Sequence, residues 1–365
     1  MNQQPHVSSD AGRPRRILIV RIGAMGDVLH AMPAIAALRQ RHPDWVIEWA
    51  VDPCWSELLR GSGAASQRGP MMPLVDRCYP VPTRQWKQQP ISLQTLSSIR
   101  GLRRELHGEQ FDLCVDMQGT IRSSMVGWMA GAKRFAGAAN PRERPARWLY
   151  GQMVKMNAAH VIEQGCELLS AAVGEPLTPM KIELPTDSAA DAWRDELFAR
   201  LFPGVDSPKF AIVAPSAGWG AKQWPAERYG AVAAELARAG YKPLVNAVYA
   251  GDILANAVVD ASEGTAVVVP CSVGQLISLT RRASLVIAGD TGPLHLAAAL
   301  ERPVVALFGP TDPARNGPYG TPCQVLRHSS SQKDHTRHAE TEEGLMQITT
   351  AEVTAAAFDL LRTTG

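Results

Sequence analysis

The chain has 365 residues, of which 45% are hydrophobic and 20% are charged. This length predicts two domains or one large domain, and the composition supplies full-sized apolar cores and excludes a generally disordered chain. The formal net charge of +2 excludes a strongly basic nucleic-acid-binding protein.

The small net charge hides an asymmetry between the two halves of the chain. Residues 1–175 contain 21 Lys and Arg and 15 Asp and Glu, a net charge of +6, whereas the remaining residues have a net charge of −4. Surfaces of opposite sign attract different ligands. We therefore expect the two halves to bind different partners.

The termini and cysteines indicate a cytoplasmic protein. No run of about 18 apolar residues is present, and the polar, basic N-terminus lacks a signal-peptide core. Residues 1–14 are predicted to form a disordered leader. The six cysteines, at positions 54, 78, 114, 166, 271 and 323, show no zinc-binding spacing and are predicted to be reduced thiols.

Strands and helices alternate after the leader. Arg16–Val20 (RILIV) predicts a strand, and the helical spacing of apolar residues from Val28 to Leu38 predicts a helix after the loop RIGAMGD. The other elements predicted in this half are strands at Val46–Val51 and Asp112–Met117, a further apolar helix after the loop QGTIRS, a helix over residues 160–173, and a linker at Pro176–Pro185.

The same pattern restarts after the linker, which predicts an α/β protein with two parallel, Rossmann-like sheets. Residues 61–73 and 324–343 are predicted to be exposed, mobile polar loops. The predicted strands are Phe210–Ala214, Lys242–Asn246, Ala266–Val269, Leu285–Ala288 and Val304–Phe308, and the predicted helices are Ala226–Ala239, Pro293–Leu300 and Ala351–Leu361.

Ligands of open parallel sheets bind beyond the carboxyl ends of the strands. Four loops are predicted to lie there: 21–27, 118–123, 215–224 and 289–293. The first, RIGAMGD, lacks the GxGxxG spacing. It predicts either a tight strand-to-helix turn or a helix N-terminus that presents N–H groups to a ligand, with Asp27 as an N-cap or as an acid directed into the cleft.

The two C-terminal loops have features suited to phosphate. Lys222 lies among small residues without the spacing of a P-loop, so it is either a phosphate-binding cation or a solvated lysine. In GDTGPLHLAAA, the amides of Thr291 and Gly292 would face a diphosphate, and Asp290 would accept hydrogen bonds from hydroxyl groups. His295 is either a hydrogen-bonded structural histidine or a catalytic group.

Four segments in a fixed order carry a family resemblance: ILIVRIGAMGDVLHAMPAIAALRQRHP, DMQGTIRSS, KQWP and GDTGPLHLAAALERPVVALFGPTDPARNGPYG. They resemble the family 9 glycosyltransferases, the ADP-heptose-dependent heptosyltransferases, from about Ile17 to the C-terminal helix. Three shorter segments, RQW at 84–86, RE at 142–143 and HVIE at 160–163, favour the heptosyltransferase I branch, which adds the first heptose to Kdo of the lipopolysaccharide inner core.

The resemblance implies a GT-B fold, in which two Rossmann-like domains face each other across a cleft. The expected domains are an acceptor-binding domain at 15–178, a nucleotide-sugar-binding domain at 179–345, and a final helix at 346–365 that packs back towards the first domain. No metal or other cofactor is expected, and the implied donor substrate is ADP-L-glycero-D-manno-heptose.

The resemblance also implies roles for individual residues. Asp27 is the expected general base in an inverting transfer, and Lys222 is expected to neutralise the departing diphosphate. Where related proteins have paired hydroxyl residues, this chain has Ala217 and Gly218. The expected donor-binding residues are Asp290, Thr291, Gly292, His295, Ser216 and Gly218. Asp252, in a turn that differs from the corresponding turn of related proteins, is the expected ligand of the ribose.

The implied acceptor, Kdo-lipid A, carries carboxylates and phosphates, which fits the positive first half of the chain. Two alternative interpretations of the basic clusters in this half are that they are solvated helix faces, or that they dock the protein to anionic lipid on the cytoplasmic face of the inner membrane. No nucleic acid is an expected partner. The expected acceptor-binding residues are Gly26, Arg84, Gln118, Arg122, Arg142 and Arg144.

The resulting hypothesis is inverting transfer of heptose to Kdo of Kdo-lipid A. The alternatives are another family 9 transferase, such as one that resembles heptosyltransferase II or uses a different nucleotide sugar, and a non-catalytic nucleotide-sugar-binding protein. The absence of GxGxxG argues against an NAD-dependent dehydrogenase.

Overall fold

The computed structural model describes residues 13–63, 67–332 and 340–364. The predicted leader lies outside the described residues except for Arg13 and Pro14. Arg13 was assigned to the leader, but its guanidinium lies 3.1 Å from a carboxylate oxygen of Asp112 and so contacts the folded chain.

The N-terminal half forms a parallel sheet of six strands within the described residues. Its strands are β1 (Arg16–Val20), β2 (Val46–Val51), β3 (Arg77–Pro80), β4 (Leu113–Asp116), β5 (Arg134–Ala138) and β6 (Gln152–Val154), in the order β3-β2-β1-β4-β5-β6. The helices between them are α1 (Met25–Arg41), α2 (Thr83–Gln88), α3 (Leu93–Gly108), α4 (Ile121–Met129) and α5 (Val161–Val173), with 3₁₀ helices at Pro53–Leu58 and Arg144–Leu149.

The C-terminal half repeats this architecture. Its strands are β7 (Phe210–Ala214), β8 (Lys242–Ala247), β9 (Val267–Pro270), β10 (Leu285–Gly289), β11 (Val304–Leu307) and β12 (Cys323–Leu326), in the order β9-β8-β7-β10-β11-β12. The helices are α6 (Ser188–Leu201), α7 (Ala226–Arg238), α8 (Ile253–Ala261), α9 (Val273–Thr280), α10 (Gly292–Ala299), α11 (Pro313–Asn316), α12 (Glu343–Gln347) and α13 (Thr350–Thr364), with a 3₁₀ helix at Gly220–Lys222.

Both sheets have the strand order 3-2-1-4-5-6 when each is numbered from its own first strand, which is the Rossmann order. Every pairing of neighbouring strands within them is parallel. The prediction of an α/β protein with two Rossmann-like sheets is therefore confirmed.

Helix α1 is buried around most of its circumference. Besides the first sheet, it contacts α5 and α10, and Val28, Met32 and Ile35 are fully buried. One hydrophobic cluster continues from Ile35 to Leu296 of α10. The apolar core of the first sheet thus extends to α10 of the C-terminal half through the helix that begins within the RIGAMGD segment.

Three predictions about the ends and loops are wrong. Residues 61–73, of which 64–66 lie outside the described residues, are not wholly exposed, because Met72 has only 4% of its surface exposed. Residues 324–343 begin within strand β12. The remainder of that predicted loop includes 333–339, which lie outside the described residues. Helix α13 buries Val353 and Leu360 in the core of the second sheet and does not pack back on the first, because its apolar face fits against α7 and β10–β12.

The predicted linker, 176–185, contains no helix or strand. Leu177, Ile182 and Leu184 are nevertheless buried in the core of the first sheet. The domain boundaries at 178/179 and 345/346 remain predictions. Within the described ranges, no helix is both long and apolar enough to span a bilayer.

Candidate active site

The four loops predicted to hold the site follow β1, β4, β7 and β10. These are the two central strands of each sheet, between which the strand order reverses. Such a reversal leaves a crevice at the carboxyl edge of an open parallel sheet, where ligands bind. The prediction of where these loops lie is confirmed.

Asp27 lies in the first turn of α1. Its carboxylate accepts hydrogen bonds from the guanidinium of Arg21 at 2.9 Å and from the backbone N–H of Ala24 at 3.1 Å. Ala24 is the N-cap of the helix, so the interpretation of Asp27 as an N-cap is wrong by three residues. The helix begins earlier because the Asp27 side chain satisfies the N-cap N–H from inside the first turn. Thirty per cent of the Asp27 side chain remains exposed, so the held carboxylate is open to a substrate.

A buried carboxylate organises the second loop. Asp116 accepts hydrogen bonds from the backbone N–H groups of Gln118 and Gly119 and from the hydroxyl groups of Ser123 and Tyr150. Burial raises the pKa of Asp116 above its usual value, although hydrogen bonds from these four donors act in the opposite direction. The network fixes the direction in which the loop leaves β4.

Gln118 joins this second loop to the first. Its side-chain oxygen accepts hydrogen bonds from the backbone N–H groups of Ile22 and Gly23 at 2.7 and 3.3 Å. Gln118 therefore supports the backbone in front of α1. Contact with an acceptor, the role predicted for Gln118, remains a prediction.

Lys222, Asp290 and His295 form one buried polar chain in the C-terminal half. The Lys222 ammonium lies 2.5 Å from one Asp290 carboxylate oxygen, and His295 Nε2 lies 3.0 Å from the other. Burial raises the pKa of Asp290, but the hydrogen bonds from His295 and Lys222 and the positive charge of Lys222 outweigh burial and hold it well below its usual range. Asp290 is therefore an ionised carboxylate, and Lys222 is not the solvated lysine of the alternative interpretation.

Thr291 and Gly292 open helix α10 after Asp290. The Thr291 hydroxyl donates to the carbonyl of Gly289 at 3.2 Å, and Thr291 is the N-cap of the helix. The first amides of a helix have no partner within the helix and carry its positive dipole end. This helix start is therefore chemically suited to an anion.

The N-terminal turns of α1 and α10 touch each other across the two sheets. A Cβ atom added to Gly26 would lie 2.6 Å from His295 Cδ2, and one added to Gly292 would lie 2.5 Å from Met25 Sδ. Each helix thus presents a glycine to a side chain of the other. Gly26, predicted to bind the acceptor, has this close approach as a structural reason to be glycine.

The other predicted donor residues lie at the carboxyl edge of the second sheet. Ser216 and Gly218 are exposed in the loop after β7, and Asp252 caps α8 by accepting a hydrogen bond from the Ala255 N–H at 2.9 Å. Beside Asp252, Tyr249 has 59% of its surface exposed.

The predicted acceptor residues do not form one group. Arg84 lies over the ring of Trp55, with 5.8 Å between guanidinium carbon and ring centroid, whereas Arg122 is exposed on α4. The backbone nitrogen of Arg142 lies 3.1 Å from the position that a Cβ atom on Gly119 would occupy. Arg144 lines a cavity of about 580 Å³ with Ala139, Asn140, Pro141, Arg147 and Trp148.

His30, in the second turn of α1, is a polar residue of the interface that the sequence interpretation missed. Its ring Nε2 lies 3.1 Å from Nδ1 of His295, and the two side chains are almost fully buried. The available signal was a histidine within an otherwise apolar helix. Among the described residues, no group of three or more His, Cys, Asp or Glu side chains is arranged to hold a metal ion.

Comparison with known proteins places this geometry in context. The family model described as glycosyltransferase family 9 (heptosyltransferase) matches residues 99–347. The chain is 26% identical over 318 residues to lipopolysaccharide heptosyltransferase 1 of Escherichia coli K12, over 86% of this chain and 93% of that protein. It is 22% identical over 371 residues to lipopolysaccharide heptosyltransferase 2 of Salmonella typhimurium, over 96% and 99% of the two chains.

Among solved structures, the E. coli heptosyltransferase WaaC with ADP is similar to this chain with a TM-score of 0.73 and 24% identity, over 93% of this chain and 98% of that one. The predicted GT-B arrangement of two facing Rossmann-like sheets is confirmed by this likeness.

Proposed function

Because the chain belongs to glycosyltransferase family 9, the heptosyltransferases, and is a glycosyltransferase, we propose that it transfers heptose from ADP-L-glycero-D-manno-heptose to Kdo of Kdo-lipid A. The named activity of the relatives, lipopolysaccharide heptosyl transfer, supports the reaction class. The positive N-terminal half supports an anionic acceptor.

One observation carries the proposal: the crossing of α1 and α10 unites groups from both sheets. Asp27 adjoins Gly26, which contacts His295, and His295 hydrogen-bonds Asp290 beside Lys222. A carboxylate suited to proton transfer and a cation suited to a leaving anion therefore lie at the same crossing. Transfer between two substrates in one cleft requires this combination.

In the proposed reaction, the Asp27 carboxylate takes the proton of the acceptor hydroxyl group, whose oxygen forms a bond to the anomeric carbon. The bond from that carbon to the diphosphate oxygen breaks, and ADP leaves with the electron pair. Attack opposite the leaving group inverts the anomeric configuration. Arg21 holds the Asp27 carboxylate in position before the proton is transferred.

The C-terminal half is proposed to counter the negative charge that develops on ADP. Lys222 donates to the departing diphosphate, and the amides of Thr291 and Gly292 add further donors fixed in place. Asp290 accepts hydrogen bonds from heptose hydroxyl groups while His295 holds its other oxygen. Ser216, Gly218 and Asp252 are the proposed contacts of the phosphates and ribose. The proposal involves no metal or other cofactor.

An exposed apolar surface beside the cleft is proposed to bind the lipid part of the acceptor. One face of α4 carries three exposed apolar side chains, Ile121, Met125 and Trp128, with 42%, 51% and 56% of their surfaces exposed. The 3₁₀ helix Arg144–Leu149 packs against α4 and carries Trp148, which has 78% of its surface exposed. We call these four residues the aromatic patch. It begins at the first residue of α4, which follows the loop at the carboxyl edge of the sheet.

Arginine residues surround the aromatic patch. The guanidinium of Arg103 lies 5.9 Å from the centroid of the Trp128 ring, and Arg122, Arg144 and Arg147 are exposed on the same two helices. Aromatic residues with cationic neighbours suit the interface of an anionic bilayer, where each basic residue contributes about 1 kcal/mol. The protein is therefore proposed to act on the cytoplasmic face of the inner membrane as a peripheral protein.

The experiment that tests the proposal is incubation with ADP-heptose and a Kdo-bearing acceptor, followed by mass spectrometry for one added heptose. Likeness to heptosyltransferase 2 supports a second candidate acceptor, the heptosylated core that is one sugar longer. The same experiment distinguishes the two acceptors.

A further inference from the structure

Two buried imidazole rings connect the halves of the molecule. His30 Nε2 of α1 lies 3.1 Å from His295 Nδ1 of α10, and the ring centroids are 4.2 Å apart. His30 has 8% and His295 6% of its surface exposed. Because both rings are buried, water does not compete for this hydrogen bond. The groups around the pair therefore determine which ring donates and which accepts.

The neighbours of the pair determine that direction. The Asp290 carboxylate is ionised and only accepts hydrogen bonds, so His295 donates to it through Nε2–H. When His295 is the neutral imidazole, Nδ1 is then an acceptor, and His30 donates to it through its own Nε2–H. The four side chains form one directed chain, from His30 through His295 to Asp290, which also accepts from Lys222.

We propose that His30 is a positioning residue for the donor site: its Nε2–H group donates to Nδ1 of His295, whose tautomer Asp290 sets, and so holds the orientation of the His295 ring and, through it, the carboxylate of Asp290. This inference rests on the proposed function, in which Asp290 binds the donor sugar. His30 itself reaches Asp290 only through His295 and is not assigned contact with a substrate.

The charged and titratable groups around His30 agree with a neutral donor. They are His295 on α10, Arg21 after β1, His160 at the start of α5, and Asp290 after β10. Burial lowers the pKa of His30 well below its usual value. The neighbouring His295, Arg21 and His160 lower it further, and Asp290 acts in the opposite direction. A neutral His30 has one ring N–H to donate, and the 3.1 Å contact uses it.

The arrangement also makes the donor site depend on how the two sheets meet. His30 belongs to the first sheet, and His295 and Asp290 belong to the second. The hydrogen bond forms only where α1 and α10 touch, which the facing glycines Gly26 and Gly292 permit. The support of Asp290 by His295 therefore depends on a residue of the other half of the molecule.

The test compares His30→Gln with His30→Leu in the full chain. The Gln side-chain amide retains an N–H near the position of Nε2, whereas Leu removes the donor. His107→Gln, on the exposed part of α3, is the matched control. The first measurement is long-range ¹H–¹⁵N correlation of the histidine rings without ligand, which reads the tautomer of His295. The second is kcat/KM for ADP-heptose, with thermal unfolding as a check of folding.

In the wild type and in His30→Gln, His295 is expected to be protonated at Nε2 only, and kcat/KM of His30→Gln is expected to stay within about threefold. His30→Leu is expected to shift the His295 nitrogen signals and to lower kcat/KM about tenfold, as loss of a buried hydrogen bond would. Unchanged His295 signals in a folded His30→Leu, or equal losses in the two variants, would overturn the inference.

If His30→Leu does not fold, the spectrum of His30→Gln decides, because a His295 ring switched to the Nδ1–H tautomer contradicts the proposed direction. The ring spectra require no substrate. A protein with the expected spectra and no heptosyl transfer would refute the proposed function and leave the positioning of Asp290 by His30 intact.

Discussion

Lys222 and Asp290 form an ion pair of 2.5 Å, with 12% and 6% of their side chains exposed. The two residues come from different loops, one after β7 and one after β10, which are neighbouring strands. Lys222 therefore has a partner of opposite charge before any donor binds. A diphosphate in the cleft would share this cation with Asp290, so the pair positions the ammonium group as well as neutralising it.

Lys222→Met is expected to lower kcat/KM for ADP-heptose about 10²-fold to 10³-fold, since it removes a fixed cation from the leaving group. The free energy of unfolding is expected to fall by about 1–3 kcal/mol, because Asp290 loses one of its two side-chain partners. Steady-state kinetics and urea unfolding measure the two effects. Lys155→Met, at an exposed lysine, is the control. Wild-type kinetics of Lys222→Met would remove this residue from the site.

Asp27→Asn is expected to lower kcat by about 10²-fold to 10⁴-fold, the usual contribution of a general base. The amide oxygen still accepts the hydrogen bond from Ala24, so the helix start and ADP affinity should remain. Rapid-quench measurement of product formation and calorimetric titration with ADP test the two parts. Asp44→Asn, exposed before β2, is the matched control. Near-normal turnover by Asp27→Asn would show that another group takes the proton.

His30 is expected to make the stability of the protein depend on pH. An unfolded histidine has a pKa of about 6.5, and burial lowers the pKa of His30 in the folded chain. Below pH 6.5 the unfolded state therefore binds a proton that folded His30 does not, so the free energy of unfolding falls as pH decreases. Between pH 7.5 and 5.0 the wild type should lose up to about 2 kcal/mol more than His30→Gln. Urea unfolding across this range provides the comparison, and parallel profiles would show that folded His30 titrates normally.

Trp128→Ser combined with Trp148→Ser is expected to weaken binding to vesicles of phosphatidylglycerol and phosphatidylethanolamine by at least about tenfold, because two exposed rings are lost from the surface that is proposed to enter the bilayer interface. Vesicle sedimentation measures this affinity, and kcat on a de-acylated acceptor should stay unchanged. Val205→Ser alters an exposed apolar residue outside the patch and serves as the control. Equal vesicle binding by the double variant and the control would exclude the aromatic patch as the docking surface.

The sequence was sufficient for the central strands and the loops that follow them. β1, β2 and β7 have the predicted bounds because they are short apolar runs buried on both faces. β3, β6 and β12 lie at sheet edges, and β5 carries Arg134 and Gly137, so their apolar patterns are weak and they were missed. These strands are specified mainly by their pairing with a neighbour, which no local pattern records.

The sequence predicted the site residues within individual loops but not the contacts between the two halves of the molecule. The sequence indicated Asp27, Lys222, Asp290 and His295, each directly before or within a helix that follows a strand. It did not indicate that His30 meets His295, because 265 residues separate them along the chain and a close approach of α1 and α10 joins them. Contacts of this kind depend on how the two sheets meet and therefore require the structure.

The measurement that tests the account most directly is mass spectrometry of the products formed from ADP-L-glycero-D-manno-heptose with two acceptors, Kdo-lipid A and heptosyl-Kdo-lipid A. The account predicts one added heptose on Kdo-lipid A, none on the acceptor that already carries heptose, and loss of the product in Asp27→Asn. Transfer to the heptosylated acceptor alone, or ADP binding without transfer to either acceptor, would contradict it.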